Sequence, residues 1–237
     1  MPLTRSELRD ASSTDSDLET ADLAAGQALG AHRDHPAVRA LGVASEIADQ
    51  LPSVVLCSAV LAAGLVGRQE RVARAGGRML LSVLVAAALK AAVKNTVSRS
   101  RPNLLIDEGV HDVVPLGPER GDWHSFPSGH TAGAVAMARG AARSLPGIAL
   151  PAYAVAAAIG AIQVPRAKHY PSDVIAGIGV GIAAEFLVEG AIRLVATASE
   201  SADPAEARRT SPDGRPRPPR RQGRSRPSRP ASGCAPD

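Results

Sequence analysis

Three apolar stretches constrain what this chain can fold into. Residues 51–67 and 145–165 contain no charged side chain, and residues 174–196 are mainly apolar but contain Glu185 and Glu189. A helix needs about 20 such residues to cross the hydrocarbon core of a bilayer. The stretches therefore predict membrane-spanning helices, although the two carboxylates in the last stretch would also fit a helix of a soluble bundle.

Two further helices are predicted between these stretches. Residues 79–89 are apolar and lead into Lys90 and Lys94, which share one helix face because they are four residues apart. Residues 131–144 form another helix, with two arginines near its end. Aromatic residues make up only 2% of the chain, so the helices would pack through small side chains, as helices do in lipid. The expected fold is all-α, a multi-pass transmembrane helical bundle with about five spans.

The composition divides the chain into three parts. Residues 1–50 are polar, and within them 16–30 and 35–50 fit either short amphipathic helices on the membrane surface or disorder. Residues 51–197 would form the membrane domain, and residues 198–237 a disordered basic tail rich in Pro and Arg. From residue 201 onwards nine Arg oppose four acidic residues, a charge of +5 against +4 for the whole chain. The residues before this tail carry a net charge of −1, which gives no reason to expect that they bind nucleic acid.

Basic residues predict which way the bundle faces. Arginines within residues 68–78 follow the first span, and two more end the helix at 131–144. By the positive-inside rule these segments and the tail lie on the cytoplasmic side. Segments 94–126 and 163–173 then share the outward face. Because Ala, Arg and Pro are used heavily, as in bacteria with GC-rich genomes, the expected location is a bacterial inner membrane, with the site on its periplasmic or extracellular face.

Phosphate-binding chemistry is indicated by two segments that flank a polar loop. Lys94 and Arg101 follow the end of a helix, and a guanidinium offers a fixed fork of donors suited to phosphate oxygens without a metal ion. Ser128 precedes an apolar helix and is a natural N-cap, so free backbone N–H groups of the first turn can bind an anion. Gly129 allows close approach, and His130 could then give a proton to a leaving oxygen.

The third segment contains a candidate nucleophile. His169 comes just before a helix expected to begin at Pro171, a residue favoured at the first helical position. Asp173 follows in the first turn, from which its carboxylate could hydrogen-bond one ring nitrogen of His169. Such a bond would fix the tautomer and leave the other nitrogen free to attack phosphorus. This arrangement predicts a phosphohistidine intermediate.

The three segments, in this order and with these separations, resemble the signature of the type 2 phosphatidic acid phosphatase superfamily, which includes lipid phosphate phosphatases, glucose-6-phosphatase and vanadium haloperoxidases. The resemblance covers roughly residues 51–196. It implies a helical bundle with phosphate ligands at Lys94, Arg101, Ser128 and Gly129, an acid at His130, and a nucleophilic pair at His169 and Asp173.

One position departs from the family pattern. The family usually has Arg six residues before the nucleophilic histidine, and Gln163 occupies that place here. Arg166 and Lys168 lie on the same short loop, and either could supply the missing charge. If neither does, we expect slower turnover, a less charged substrate, or a protein that binds phosphate without hydrolysing it.

The expected function is metal-independent hydrolysis of a lipid phosphate or a (poly)prenyl (pyro)phosphate, with a membrane lipid as substrate and no cofactor. No residue reads the alcohol part of the substrate, and the sequence indicates no oligomeric state. Two alternatives stay open. One is a catalytically weakened phosphate- or lipid-binding membrane protein of the same fold, suggested by Gln163. The other is vanadate-dependent oxidation of halide, which the resemblance allows, although those relatives are soluble and larger.

Overall fold

The computed structural model of the chain describes residues 17–115 and 123–209. The described part is mostly helical, with two short strands between the helices. In chain order its elements are α1 (Asp17–Gly30), α2 (Pro36–Ser45), α3 (Gln50–Val66), α4 (Glu70–Lys94), β1 (Val97–Arg99), α5 (Pro102–Glu108), β2 (Val113–Pro115), α6 (Gly129–Ser144), α7 (Ala149–Ile162) and α8 (Pro171–Arg209).

Two units make up the chain, Met1–Leu194 and Val195–Asp237. The first contains every element up to the middle of α8. In the second, the structure describes the C-terminal part of α8, which continues past residue 198 to Arg209, so this stretch is helical where a disordered tail was expected. Residues 210–237 of the expected tail and residues 1–16 of the polar N-terminus lie outside the described residues.

Two of the described helices are long and apolar enough to cross a membrane, Glu70–Lys94 and Pro171–Ser199. The pair Pro36–Ala48 and Gln50–Val66 passes the same test together but is bent by 59°, so it adds a third span if the pair crosses as one. Pro146–Ile162 is apolar but shorter. The described helices therefore provide two or three candidate spans where the sequence predicted about five.

Helix α6 accounts for part of this difference. The sequence predicted a span over residues 131–144, yet most residues of α6 are buried and the helix packs against α4 and α7. A helix surrounded by protein does not need a continuous apolar surface. The arginines of α6 are accommodated because this helix lies inside the bundle rather than against lipid.

Close contact between α6 and α8 depends on two glycines in GxxxG spacing. A Cβ atom on Gly177 would lie 2.6 Å from the Ser128 carbonyl oxygen, and one on Gly181 would lie 2.7 Å from the Ala132 carbonyl oxygen. Because these distances are shorter than any van der Waals contact, only glycine allows the two backbones to approach this closely. The contact brings the start of α8 next to the start of α6.

At the opposite end of α6 the two carboxylates of α8 pair with arginines. Glu185 is buried and accepts hydrogen bonds from Arg139 Nη2 and Arg143 Nε, each at 2.8 Å. Glu189 forms an ion pair with Arg78 of α4. The two glutamates therefore face the bundle, where basic partners offset the cost of removing their charge from water.

The polar segment 102–126, which the sequence predicted to be a loop, contains regular structure. Helix α5 starts at Pro102 and ends at Glu108. The next residue, Gly109, has a φ of 68°, which is typical of the residue that terminates a helix. Strands β1 and β2 pair antiparallel, with Val97 opposite Pro115. Three-residue strands leave too short an alternation of apolar and polar residues to be recognised in a sequence.

The N-terminal helix α1 packs against the loop that precedes α8. A Cβ atom on Gly26 would lie 2.6 Å from the Tyr170 ring, and one on Gly30 would lie 3.2 Å from Ala167 Cβ. Arg33, just after α1, donates to Asp107 of α5 at 2.5 Å. Residues 17–30 are helical rather than disordered, while their placement on a membrane surface stays a prediction, and the expected boundary at residue 50 does not separate α1 from the bundle.

We expect Gly181→Ala to lower the temperature of thermal unfolding in detergent, because overpacking against a backbone oxygen costs about 1–3 kcal/mol. Gly179→Ala is the matched control, since it lies on the same helix and its added Cβ has nothing within 4 Å. Alanine favours a helix over glycine by about 1 kcal/mol in both variants. Equal stability of the two variants would contradict the close α6–α8 contact.

Candidate active site

A polar cavity of about 170 Å³ lies where α4 ends and α6 and α8 begin. Seven of the ten residues predicted for the site line it. The complete lining, called the cationic cavity below, consists of Glu46, Asp49, Lys90, Lys94, Arg101, Gly129, His130, Arg166, Lys168 and His169. The other three predicted residues, Ser128, Gln163 and Asp173, are buried behind this lining.

Helix ends place the basic side chains around the cavity. Lys94 is the last residue of α4, and its Nζ donates to the His124 carbonyl oxygen at 2.8 Å. Arg101 is the N-cap of α5, held there by the proline that follows it. His130 lies in the first turn of α6. Among the described residues, no group of three or more His, Cys, Asp or Glu side chains could hold a metal ion.

Ser128 acts as the N-cap of α6, as predicted. Its Oγ accepts hydrogen bonds from the Thr131 backbone N–H at 3.4 Å and from Thr131 Oγ1 at 2.9 Å. Its own N–H donates to the Asp173 carbonyl oxygen at 3.0 Å. The Ser128 hydroxyl therefore forms its hydrogen bonds within α6. The residues after it, Gly129 and His130, are the ones that line the cavity.

The His169 ring is oriented by a backbone carbonyl rather than by the predicted bond to Asp173. His169 Nδ1 lies 2.6 Å from the Ser125 carbonyl oxygen and 3.8 Å from Asp173 Oδ2, which is too long for a hydrogen bond. A carbonyl oxygen can only accept, so Nδ1 must carry the proton. This tautomer leaves Nε2 with its lone pair, as a nucleophile requires.

Asp173 acts on His169 through Ser125. Its Oδ2 accepts hydrogen bonds from Ser125 Oγ at 2.5 Å and from the Tyr170 N–H at 2.8 Å. Its Oδ1 accepts from Arg99 Nη1 at 2.8 Å. The carboxylate thereby fixes the residue whose carbonyl holds the histidine ring, and its charge remains close to that ring.

Arg99 is the main residue that the sequence analysis missed. It lies inside the first motif, between Lys94 and Arg101, but its side chain is buried against Asp173 rather than directed at the cavity. Its guanidinium carbon also lies 4.2 Å from the centre of the Tyr170 ring. Nothing in the sequence distinguishes this arginine from a solvated one, because its partners lie far away along the chain.

Arg166 lines the cationic cavity, and the side chain at position 163 does not. Gln163 is fully buried and donates to the Ser45 Oγ at 3.2 Å and to the Ile159 carbonyl oxygen at 2.9 Å. Its Oε1 accepts from Arg166 Nη1 at 3.4 Å. Gln163 thus holds Arg166 by a hydrogen bond on its buried side, while Arg166 and the exposed Lys168 line the cationic cavity.

Glu46 is a second residue missed in the sequence. Its carboxylate accepts a hydrogen bond from His130 Nε2 at 3.2 Å and forms an ion pair with Arg166. An anionic group therefore already bridges the acid candidate and a basic residue of the cavity. Glu46 belongs to a short 3₁₀ turn between α2 and α3, a position for which the family signature gives no information.

We expect Arg166→Gln to weaken binding of vanadate, a phosphate analogue, about tenfold or more, because a charge-assisted hydrogen bond is worth about 1.5–3 kcal/mol. Gln163→Arg is not expected to tighten binding, because position 163 is buried against Ser45 and the variant would place a second guanidinium beside Arg166. Arg33→Gln, at an exposed ion pair with Asp107, is the control for loss of one charge. Vanadate titration by calorimetry checks all three, and tighter binding by Gln163→Arg would contradict this assignment.

Comparison with known proteins agrees with the motifs and the fold. The family model of the PAP2 superfamily matches residues 75–192. The chain is similar to the lipid A 1-phosphatases of Rhizobium johnstonii and Rhizobium etli, with 31% identity to each over 106 residues. The match covers 45% of this chain but only 43% and 45% of those relatives, so it spans less than half of their length.

Two crystal structures show the same fold. Aquifex aeolicus LpxE matches with a TM-score of 0.54 and 22% identity, over 73% of this chain and 95% of that one. A transmembrane PAP2-type phosphatidylglycerolphosphate phosphatase from Bacillus subtilis matches with a TM-score of 0.54 and 22% identity, over 79% of this chain and 92% of that one. With its three motifs around one cavity and a family match over residues 75–192, this chain belongs to the PAP2 superfamily.

Proposed function

We propose that this chain is a metal-independent phosphatase that hydrolyses a lipid phosphate or a (poly)prenyl (pyro)phosphate through a phosphohistidine intermediate. The observation that carries the proposal is the pairing of a nearly buried histidine, with Nδ1 bound to the Ser125 carbonyl oxygen, and a cavity lined by five lysines and arginines. A phosphate group entering this cavity meets donors for its oxygens and a nucleophile for its phosphorus.

In the first step, His169 Nε2 attacks phosphorus and the bond from phosphorus to the leaving oxygen breaks. His130, as the imidazolium, gives its Nε2 proton to that oxygen and becomes neutral, so an alcohol leaves uncharged and a phosphate leaves with one negative charge fewer. In the second step, a water oxygen attacks phosphorus, the bond from phosphorus to His169 Nε2 breaks and returns its electron pair to the ring, and neutral His130 takes a proton from the water, which releases inorganic phosphate. Lys94, Arg101 and Arg166 stabilise the negative charge on the phosphoryl oxygens in both steps.

Substrate binding must displace Glu46. Its carboxylate occupies the donors of His130 and Arg166 that the phosphate and the leaving oxygen would use. A phosphate dianion carries more charge and more acceptors than a carboxylate, so it competes well for the same donors. The exchange would favour doubly charged phosphomonoesters and pyrophosphates over phosphodiesters.

An amphiphilic substrate is supported by the apolar helices and by the relatives. The candidate spans α4 and α8 both have one end at the cationic cavity, so a lipid could remain in the bilayer while its head group enters the site. The relatives are named for phosphatase activity on lipid A and on phosphatidylglycerolphosphate. A membrane lipid is therefore the partner that we propose, without a choice among these head groups.

The proposed location is a bacterial inner membrane with the cavity on the outward face. Helix α4 begins near the arginines of residues 68–78 and ends at the cavity, and α6 runs from the cavity to Arg139 and Arg143. The arginine-rich end and the cavity are thus at opposite ends of the same helices. The positive-inside rule assigns the arginine-rich end to the cytoplasm.

We expect kcat/KM to decline only at low pH. Burial lowers the pKa of His169, and the opposing effect of the Asp173 carboxylate does not cancel this. Because the nucleophile must be neutral, kcat/KM should stay high as the pH falls through about 6.5, the ordinary histidine value, and decline only below it. Asp173→Asn should move the decline to still lower pH. A decline at or above pH about 6.5 in the wild type would contradict the assignment.

The direct test is phosphate release by the detergent-purified chain, with EDTA present, on a panel of lipid phosphates and prenyl pyrophosphates. We expect release by the wild type and almost none by His169→Ala, because no other group replaces the nucleophile. His111→Ala is the control for loss of a histidine outside the cavity lining. Activity that survives in His169→Ala would refute the phosphohistidine, and silence of the folded wild type on the whole panel would favour the binding-protein alternative.

Leaving-group dependence tests the role of His130. We expect His130→Ala to lose most of its activity on substrates with alkyl leaving groups and much less on an aryl phosphate, whose leaving oxygen needs no proton. Single-substrate kinetics on both types of ester measure the difference. Equal losses on both would argue against His130 as the acid.

A further inference from the structure

Asp22 of the N-terminal helix α1 reaches the network behind His169. Its Oδ2 accepts a hydrogen bond from Arg99 Nη2 at 2.8 Å, and the same guanidinium donates through Nη1 to Asp173 Oδ1 at 2.8 Å. Asp22 and Arg99 are 9% and 7% exposed, and Asp173 is fully buried. One buried guanidinium therefore lies between two carboxylates.

The same carboxylate caps the helix that carries Asp173. Asp22 Oδ1 accepts from the Ser172 N–H at 2.8 Å, and Oδ2 accepts from Ser172 Oγ at 2.5 Å. Free N–H groups in the first turn of a helix are usually satisfied by a residue of the same segment. Here the acceptor comes from α1, so the start of α8 is fixed by a residue 150 positions earlier in the chain.

The charges of this network do not cancel. Asp22 and Asp173 together carry two negative charges against the one positive charge of Arg99, all shielded from solvent. The other charged or titratable groups that line the cavity with His169 are Lys90, Lys94, Arg101, Arg166, Lys168, His130, Glu46 and Asp49. Of the network, the Asp173 carboxylate is the group near the ring, with its Oδ2 3.8 Å from the protonated Nδ1.

We infer that Asp22 is a positioning residue of the site, which acts through Arg99 to hold Asp173 and to maintain the negative charge that supports a positively charged His169 ring. The inference rests on the proposed function, because the ring becomes positive when Nε2 bonds to phosphorus. Without Asp22, Arg99 would neutralise Asp173 fully. Asp22 lies outside residues 75–192. A residue outside the segment that matches the family model therefore helps to position His169.

The test is the titration of His169 in the full chain, followed by NMR of ring-labelled histidine in detergent and assigned by loss of the signal in His169→Ala. Asp22→Asn keeps the size and one of the two acceptor oxygens but removes the charge. We expect its titration midpoint to fall by roughly one pH unit, because a nearby negative charge favours the cationic ring. We also expect kcat to fall several-fold with KM within about twofold of the wild type.

Two further variants separate charge from structure. Asp107→Asn removes a carboxylate that holds the segment after α1 through Arg33, far from Arg99, and should leave the midpoint unchanged. If Asp22→Asn does not fold, Asp22→Ser keeps an acceptor for Ser172 and should show the same fall. An unchanged midpoint in the folded Asp22 variant, or an equal fall in Asp107→Asn, would overturn the inference. If the titration midpoint falls only in the Asp22 variants and the wild type releases no phosphate, the inference is supported and the proposed function is refuted.

Discussion

The Asp173 carboxylate is fully buried at the start of α8, and an ionised group can be buried only if donors surround it. Arg99, the Ser125 hydroxyl and the Tyr170 N–H provide those donors. Each of them belongs to a different part of the site, so satisfying one carboxylate fixes β1, the approach to α6 and the loop before α8 at once. The orientation of His169 follows from this, because its ring is held by the carbonyl of Ser125.

Charged residues of the bundle surround the cavity or form ion pairs between helices. Glu185 and Glu189, further along α8 than the cavity, pair with arginines from α6 and α4, and the basic residues at the other end of α4 and α6 surround the cavity. Between the ends, small residues such as Gly177 and Gly181 let backbones touch. This arrangement suits a bilayer, in which a polar group is tolerated at the interfaces or when paired inside the protein.

Local chemistry explains which parts of the site could be predicted. A serine before an apolar helix is sufficient to place the N-cap of α6 at Ser128, and a proline is sufficient to place the start of α8 at Pro171. Both predictions are confirmed. The predicted bond between Asp173 and His169 was wrong because a backbone carbonyl, which no sequence pattern marks, is the actual acceptor. Arg99 and Glu46 were missed because the side chains that they hydrogen-bond lie at least 73 residues away for Arg99 and at least 84 for Glu46.

The 150-residue separation between Asp22 and Ser172 has a consequence for biosynthesis. Asp22 of helix α1 is translated 77 residues before Arg99 and 150 residues before Ser172. Contacts so distant in sequence form only after the intervening chain has been made and inserted. A nascent or truncated chain that ends before α8 consequently contains His169 and the cationic residues of the cavity but lacks Ser172 and Asp173, so the network behind the histidine is completed only after the start of α8 has been made.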